Sequence, residues 1–164
     1  MKKLMFLAVA AILVITGCQQ DAASNWSTLN LLDKGFPISV QAPDSVEVKV
    51  NSDLSFLQDI TLDSPEDNYH IQIYASTAST DDIALIKADL VSDVRSNPFF
   101  SKVVEEDESG FVYEMMIDSA NYYSFRHVHV KGDKEFIFQP GLANTFSLEE
   151  VQRLKKAVKQ GGEQ

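Results

Sequence analysis

The sequence predicts an α+β fold in which an antiparallel β-sheet of about six strands is flanked by helices. The chain has 164 residues, which suits one domain, and 45% of them are hydrophobic and 23% charged, as in globular proteins. Apolar residues alternate at period two in several short segments, and in two longer segments they recur at steps of three and four. Short turns separate most of the period-two segments, which favours antiparallel neighbours.

Residues 1–17 are predicted to be an export signal that is removed from the mature protein. Lys2-Lys3 precedes an apolar run, Leu4–Ile15, that is too short to span a bilayer and suits the h-region of a signal peptide. Ile15-Thr16-Gly17-Cys18 follows and resembles the lipobox of bacterial lipoproteins. This resemblance implies acylation of Cys18, the only cysteine of the chain. The alternative is a free thiol at the end of an uncleaved helix.

The charge and the residues after Cys18 predict where the protein resides. A formal charge of −10 argues against nucleic acid as a partner and against attraction to anionic headgroups, so the lipid must hold the protein on the membrane. By the same resemblance, Gln19 favours sorting to the outer membrane. The segment 19–23 contains a single acid, unlike the acidic run of surface-exported lipoproteins. We therefore expect a cell-envelope protein on the outer membrane that faces the periplasm.

The mature chain is predicted to contain one domain. Residues 18–33 form the lipidated cysteine and a flexible tether, residues 34–160 the α+β domain, and residues 161–164 a disordered tail. Within the tether, an amphipathic helical turn is expected at Trp26, Leu29 and Leu32.

The first half of the domain contains four predicted strands and a helix. Segments 38–42 and 46–50 alternate apolar with polar residues around the turn Pro43-Asp44-Ser45, which predicts a hairpin, and further strands are expected at 58–62 and 69–76. A helix near residues 80–96 follows. Ser79 and Asp82 are expected to cap the start of this helix, and Asn97-Pro98 to end it. The apolar positions that define its buried face are Ile83, Ile86, Leu90 and Val94.

The second half is predicted to be a four-stranded meander followed by a helix. The strands are 102–106, 111–118, 122–131 and 134–139, and Gly132-Asp133 suits a type II′ turn between the last two. Ser147 and Glu150 form a capping box for the closing helix, which Gly161-Gly162 ends.

This layout resembles the PsbP/Mog1 fold, an antiparallel sheet sandwiched by helices. The likeness lies in the strand Phe36–Pro43, the helix Asp82–Val94, the strand Tyr122–Arg126 and the closing helix. The family includes photosystem accessory proteins, a GTPase-binding factor and bacterial lipoproteins. The resemblance implies accessory binding and no shared catalytic residues.

Three groups of residues are candidates for chemistry. His127 and His129 share one face of a predicted strand, and His70 or a carboxylate could complete a zinc site with them. The alternative is an imidazole and aromatic face packed under a helix. Acidic runs at 63–67 and 105–108 offer oxygen ligands for calcium but lack the spacing of a calcium loop, so solvated turns are favoured.

The aromatic pairs Phe99-Phe100 and Tyr122-Tyr123 are the candidates for binding. Neighbouring rings in an extended segment lie on opposite faces, so one ring of each pair is a candidate for exposure; the alternative is that helices cover both. No nucleophile elbow, phosphate loop or zinc-protease motif is found in the sequence.

We therefore predict a non-catalytic, lipid-anchored module without a cofactor, which binds a protein or a small ligand. Two alternatives remain open: a metal-dependent or hydrolytic envelope enzyme that uses His127 and His129, and a purely structural envelope component.

Overall fold

The computed structural model describes residues 26–54, 56–141 and 144–162, and side chains as far as residue 159. Within these ranges the protein is α+β. The helices are α1 (Ile83–Ser96) and α2 (Leu148–Gly162). The strands are β1 (Ser27–Asn30), β2 (Ser39–Ala42), β3 (Glu47–Leu54), β4 (Leu57–Ser64), β5 (Tyr69–Thr77), β6 (Phe100–Glu106), β7 (Gly110–Ile117), β8 (Ala120–Lys131) and β9 (Lys134–Pro140).

Seven strands form the main sheet, in the order β3-β4-β5-β9-β8-β7-β6, and every neighbouring pair is antiparallel. The predicted meander is confirmed as β6 to β9, with a two-residue turn at Gly132, whose φ is +65°. The main sheet has seven strands rather than about six, because seven of the eight predicted strand segments join it. A second sheet consists of β1 and β2 alone.

The predicted hairpin between segments 38–42 and 46–50 is wrong. β2 pairs with β1, and β3 pairs with β4 at the edge of the main sheet. Val40 and Ala42 of β2 are fully buried in the core beneath α2, so this strand belongs to the layer that covers the sheet. The turn residues 43–45 do mark a change of direction, but they lead from one layer to the other.

The predicted tether is also too long, because the fold already includes Trp26. Residues 27–30 form β1, followed by a 3₁₀ turn rather than the expected amphipathic helix. The ring of Trp26 packs edge-on against the ring of Tyr69, with 4.9 Å between the two centroids. The guanidinium carbon of Arg153 lies 5.1 Å from the centroid of the Trp26 ring. Leu31 is buried as well. These contacts offset the entropy lost when the segment is ordered.

The two helices cover opposite faces of the sheet. Phe111 and Tyr113 of β7 pack with Val94 of α1 in one apolar cluster. Val112, which lies between them in sequence, belongs to the larger cluster beneath α2 and the β1-β2 sheet. Because successive side chains of a strand point to opposite faces, α1 and α2 lie on different sides. The sheet is therefore the middle layer of three.

The start of α1 differs from the prediction. Ser79 does not cap the helix; Asp82 does, and its Oδ1 accepts a hydrogen bond from the backbone N–H of Leu85 at 3.1 Å. The helix ends before Asn97 and Pro98, as predicted. The carboxylate of Asp82 accepts a hydrogen bond from a backbone N–H that has no partner within the helix, and its negative charge lies at the positive end of the helix dipole.

The capping box of α2 is confirmed. The Oε2 atom of Glu150 accepts from the backbone N–H of Ser147 at 2.7 Å, and the hydroxyl of Ser147 accepts from the N–H of Glu150 at 3.3 Å. The helix continues through both glycines to Gly162, so residues 161 and 162 are not part of a tail, and residues 163–164 lie outside the described residues.

The N-terminal predictions fall outside the described residues. These are the export signal of residues 1–17 and the acylation of Cys18. Neither helix in the described part of the chain is long and apolar enough to cross a bilayer.

Replacing Trp26 with alanine tests whether this residue belongs to the folded domain. We expect Trp26→Ala to lower the free energy of unfolding by about 2 kcal/mol, because packing on Tyr69 and the contact with Arg153 are both lost. Urea denaturation followed by circular dichroism measures this change. The control is Leu32→Ala, at a side chain that is 61% exposed, with an expected effect within about 0.5 kcal/mol. Equal effects of the two substitutions would show that Trp26 is not anchored.

Candidate functional site

One ring of each predicted aromatic pair packs into the protein. Phe100 of β6 packs near Tyr113, with 6.5 Å between ring centroids, in the cluster under α1. Tyr123 of β8 packs against the core on the α2 side, and its hydroxyl donates to Glu114 at 3.2 Å. Their partners, Phe99 and Tyr122, remain accessible: Phe99 is 48% exposed and Tyr122 is partly buried.

The two accessible rings line adjoining cavities. Phe99 borders a cavity of about 450 Å³, and Tyr122 borders one of about 380 Å³. Both cavities are also lined by Asn97, Tyr113 and Arg126, so they form one open depression beyond the C-terminal end of α1. We name this depression the Arg126 cleft and define it by these five residues.

The secondary structure fixes the position of each residue in the cleft. Arg126 lies on β8 opposite Phe111 of β7, on the face that α1 covers. Asn97 follows the last residue of α1, and its side-chain oxygen accepts from the backbone N–H of Phe99 at 2.9 Å. Since Pro98 cannot continue the helix, the chain turns here and brings Phe99 to the rim.

Arg126 gives the cleft a positive charge. Its guanidinium carbon lies 5.6 Å from the centroid of the Tyr113 ring, and Nη1 donates to the carbonyl of Phe125 at 3.1 Å. Asp93 lines the larger cavity, but no carboxylate of the described residues approaches Arg126 within 4.0 Å. Most of its donors therefore remain free for a ligand.

His127 and His129 lie elsewhere, on the α2 side of β8. They line a separate cavity of about 470 Å³ together with Ser109 and Lys159. The His127 ring is only 5% exposed and lies 5.6 Å from that of Phe138. This arrangement matches the alternative in which the imidazoles pack under a helix.

Burial controls the charge of both imidazoles. Desolvation lowers the pKa of His127 to about 4; nearby Asp107 opposes this shift, and Lys155 adds to it. Desolvation and the charge of Lys131 lower the pKa of His129. His127 is therefore neutral at neutral pH.

The structure does not bring the three histidines together. His70 lies on β5, where its Nδ1 is 2.7 Å from Oδ1 of Asp63. Its neighbour Ile71 faces the core beneath α2, so His70 is on the face opposite His127 and His129. No group of three metal-binding side chains occurs in the described ranges, and His70 does not complete the candidate zinc site with His127 and His129.

A hydrolytic site is not complete around His127 either. The hydroxyl of Ser109 lies 3.4 Å from Nδ1 of His127, a long distance for a nucleophile and its base. In catalytic triads a carboxylate holds the second ring nitrogen. Among the described residues no carboxylate accepts a hydrogen bond from His127.

The acidic run 105–108 pairs with lysines rather than forming a calcium loop. Lys155, a residue of α2 that is only 4% exposed, contacts Asp107 at 2.9 Å and Glu105 at 3.4 Å. Burial raises the pKa of Asp107, but the hydrogen bond and the charge of Lys155 outweigh it and bring that pKa to about 2. Lys87 of α1 pairs with Glu106 at 2.9 Å.

The other acidic run is also occupied. In the run 63–67, Asp63 contacts His70, and Asp67 accepts hydrogen bonds from Ser45 and Ser64. The hydrogen bond from His70 is the main cause of the lowered pKa of Asp63. Asp63 thus connects β4 with β5, and Asp67 stabilises the turn between these two strands.

Sequence reasoning did not identify three residues of the cleft: Asn97, Tyr113 and Arg126. The sequence pattern places Asn97 at the end of a helix and Arg126 on a strand, where an exposed ion pair with Asp118 or Glu114 was the role considered for it. The available signal was the arginine beside two tyrosines in the segment Tyr122–Arg126, within an acidic chain.

Comparison with known proteins adds no family to this geometry. The chain matches no protein-family model, and no curated protein is significantly similar to it.

The buried imidazole of His127 predicts a loss of stability in acid. Because its folded-state pKa is about 4 and its ordinary value is 6.5, the unfolded chain binds the proton more readily. Stability is then complete above about pH 6.5 and falls as the pH decreases towards 4, by about 3 kcal/mol in total. Urea denaturation at a series of pH values measures this loss.

Two variants assign the loss to one residue. His127→Gln should remove most of the pH dependence in this window, whereas His129→Gln should remove less, because His129 is more accessible. An unchanged slope in His127→Gln would contradict the assignment. Asp107 titrates at lower pH, so its contribution falls outside this window.

Proposed function

We propose that the protein is a lipid-anchored envelope protein whose α+β domain is a non-catalytic module that binds a protein or small ligand at the Arg126 cleft. The observation that supports binding is the convergence of Phe99 and Tyr122, two accessible aromatic rings, around an arginine without a carboxylate partner among the described residues. Accessible aromatic and arginine side chains contribute most of the energy in many interfaces.

The histidine site supports the non-catalytic part of the proposal. Ser109 and His127 are in long contact without an orienting carboxylate, and His127 is neutral at neutral pH. The acids of the segment 105–107 are engaged by lysines. These groups therefore serve the packing between the helices and the sheet.

The lipid anchor is proposed on the sequence. Lys2-Lys3, the apolar run Leu4–Ile15 and the segment ending at Cys18 together resemble a lipoprotein signal. Acyl chains supply about 0.8 kcal/mol per buried methylene, and a second chain makes the attachment stable. Gln19 favours the outer membrane and its periplasmic side.

A PsbP/Mog1-like architecture is also part of the proposal. The antiparallel sheet between a helix on each face and the meander β6 to β9 support it. In the family that this layout resembles, accessory proteins bind partners without a common catalytic site, which agrees with a binding role here.

Substitution of Cys18 tests the anchor. We expect Cys18→Ser to move the protein from the membrane fraction to the soluble fraction, because no acyl chain can be attached to the serine. Fractionation and mass spectrometry of the amino terminus measure the change. Gln20→Ser is the matched control and should remain with the membrane. A Cys18→Ser protein that still partitions fully with membranes would contradict the proposal.

Photo-crosslinking in whole cells tests the cleft. A benzophenone amino acid introduced at Phe99 or at Tyr122 should give a discrete crosslinked product, because both side chains reach the proposed binding site. The same probe at Leu32, an exposed position outside the cleft, is the control and should not give that product.

Two results would replace this function with one of the alternatives. Absence of any specific product at Phe99 and Tyr122, whether a protein adduct or a mass increase from a small ligand, would favour a purely structural component. Stoichiometric zinc in protein purified without a histidine tag, lost in a His127→Ala, His129→Ala variant, would favour a metal-dependent enzyme.

A further inference from the structure

We propose that the Arg126 cleft selects a small monocarboxylate with an apolar body, whose carboxylate is bound by the guanidinium of Arg126. This inference rests on the proposed function, because it takes the cleft as the binding site. It goes further in naming the chemical class of the ligand and the residue that distinguishes it from neutral analogues.

The first argument is the unused hydrogen-bonding capacity of Arg126. A guanidinium carries five N–H donors, and one contact of Arg126, from Nη1 to the carbonyl of Phe125, is made within the described part of the protein. The ring of Tyr113 lies against the guanidinium and restricts its orientation. A planar carboxylate can accept two parallel hydrogen bonds from such a group.

The second argument is the position of Arg126: among the described residues, every other lysine or arginine either pairs with a carboxylate or lies outside both cavities. Five lysines of the described ranges pair with carboxylates within 4.0 Å: Lys49, Lys87, Lys102, Lys155 and Lys159. In a chain of formal charge −10, an arginine that lines a cavity without such a partner is available for an acid from outside. A ligand carboxylate would supply the missing partner.

The surroundings favour a single negative charge. The C-terminal end of α1, which bears the negative end of the helix dipole, borders the larger cavity, and so does Asp93. No lysine lines either cavity among the described residues. A phosphate dianion would meet one cation and these opposing charges, whereas a monocarboxylate is balanced by Arg126 alone.

The apolar body of the ligand is inferred from the smaller cavity. Its volume of about 380 Å³ lies within the range of small-molecule sites, roughly 300 to 1,000 Å³. Met115, Ile117 and Tyr122 supply apolar surface in it. Aromatic or branched aliphatic groups can pack on these side chains while the carboxylate reaches Arg126.

Calorimetric titration of the purified protein with phenylpropionate and with phenylpropionamide, its neutral analogue, tests this inference. We expect the carboxylate to bind at least about tenfold more tightly, because a hydrogen bond to a charged group is stronger than one to an amide. Arg126→Gln should weaken binding of the carboxylate much more than binding of the amide and so remove this preference. Arg95→Gln, at an exposed arginine of α1 that lines neither cavity, is the matched control and should keep the preference.

The outcomes separate this inference from the proposed function. Equal affinities for the two probes in the wild type would overturn carboxylate selection but leave the cleft as a binding site. A preference that persists in Arg126→Gln would overturn the role of Arg126. If neither probe binds at millimolar concentration, the inference is overturned. The crosslinking experiment at Phe99 then tests the proposed function independently.

A second measurement keeps the test valid if Arg126→Gln does not fold. In the wild type, binding of phenylpropionate should weaken as sodium chloride is added, whereas binding of phenylpropionamide should not, because salt screens only the ionic contact. The same salt dependence for both probes would overturn the inference.

Discussion

Apolar side chains on both faces of the seven-stranded sheet must be shielded from water, and the rest of the molecule is arranged around this constraint. On one face, α2 and the β1-β2 sheet cover the larger core. On the other face, α1 packs mainly against β6, β7 and β8 and ends at Ser96. The Arg126 cleft begins where this cover ends, so the site is a consequence of a helix that leaves part of its face of the sheet uncovered.

The charged side chains also divide into those that hold the layers together and one that lines the cleft. Lys155 and Lys87 connect the two helices to the acidic segment 105–107, at the end of β6 and the start of the turn to β7. These ion pairs satisfy carboxylates that would otherwise be partly buried beside the core. Arg126 has no equivalent partner among the described residues, although it lies in the same sheet. The acidic residues thus stabilise the packing of the layers, while the positive charge in the cleft remains available for binding.

Local sequence patterns predicted the positions of the strands and helices better than they predicted which strands pair. Period two located β6 to β9, and short connections fixed their order, because a turn of a few residues leaves only the antiparallel neighbour. The partner of β2 could not be predicted, since β2 and β3 have the same alternation and only tertiary burial separates them. The cleft was predicted in part: the aromatic pairs were identified, but Asn97 and Arg126 are 29 positions apart and meet only because α1 packs beside β8. The histidines were placed on the correct shared face, but strand parity alone could not show that His70 lies on the other side.

The docking of Trp26 determines how far the domain can stand from the bilayer. If Cys18 bears the lipid, only residues 19–25 separate the attachment point from the folded body, whereas a tether through residue 33 would allow about twice that length. Seven fully extended residues span at most about 25 Å. The domain would then stay close to the membrane surface, and a binding partner would have to come to the membrane or be located there.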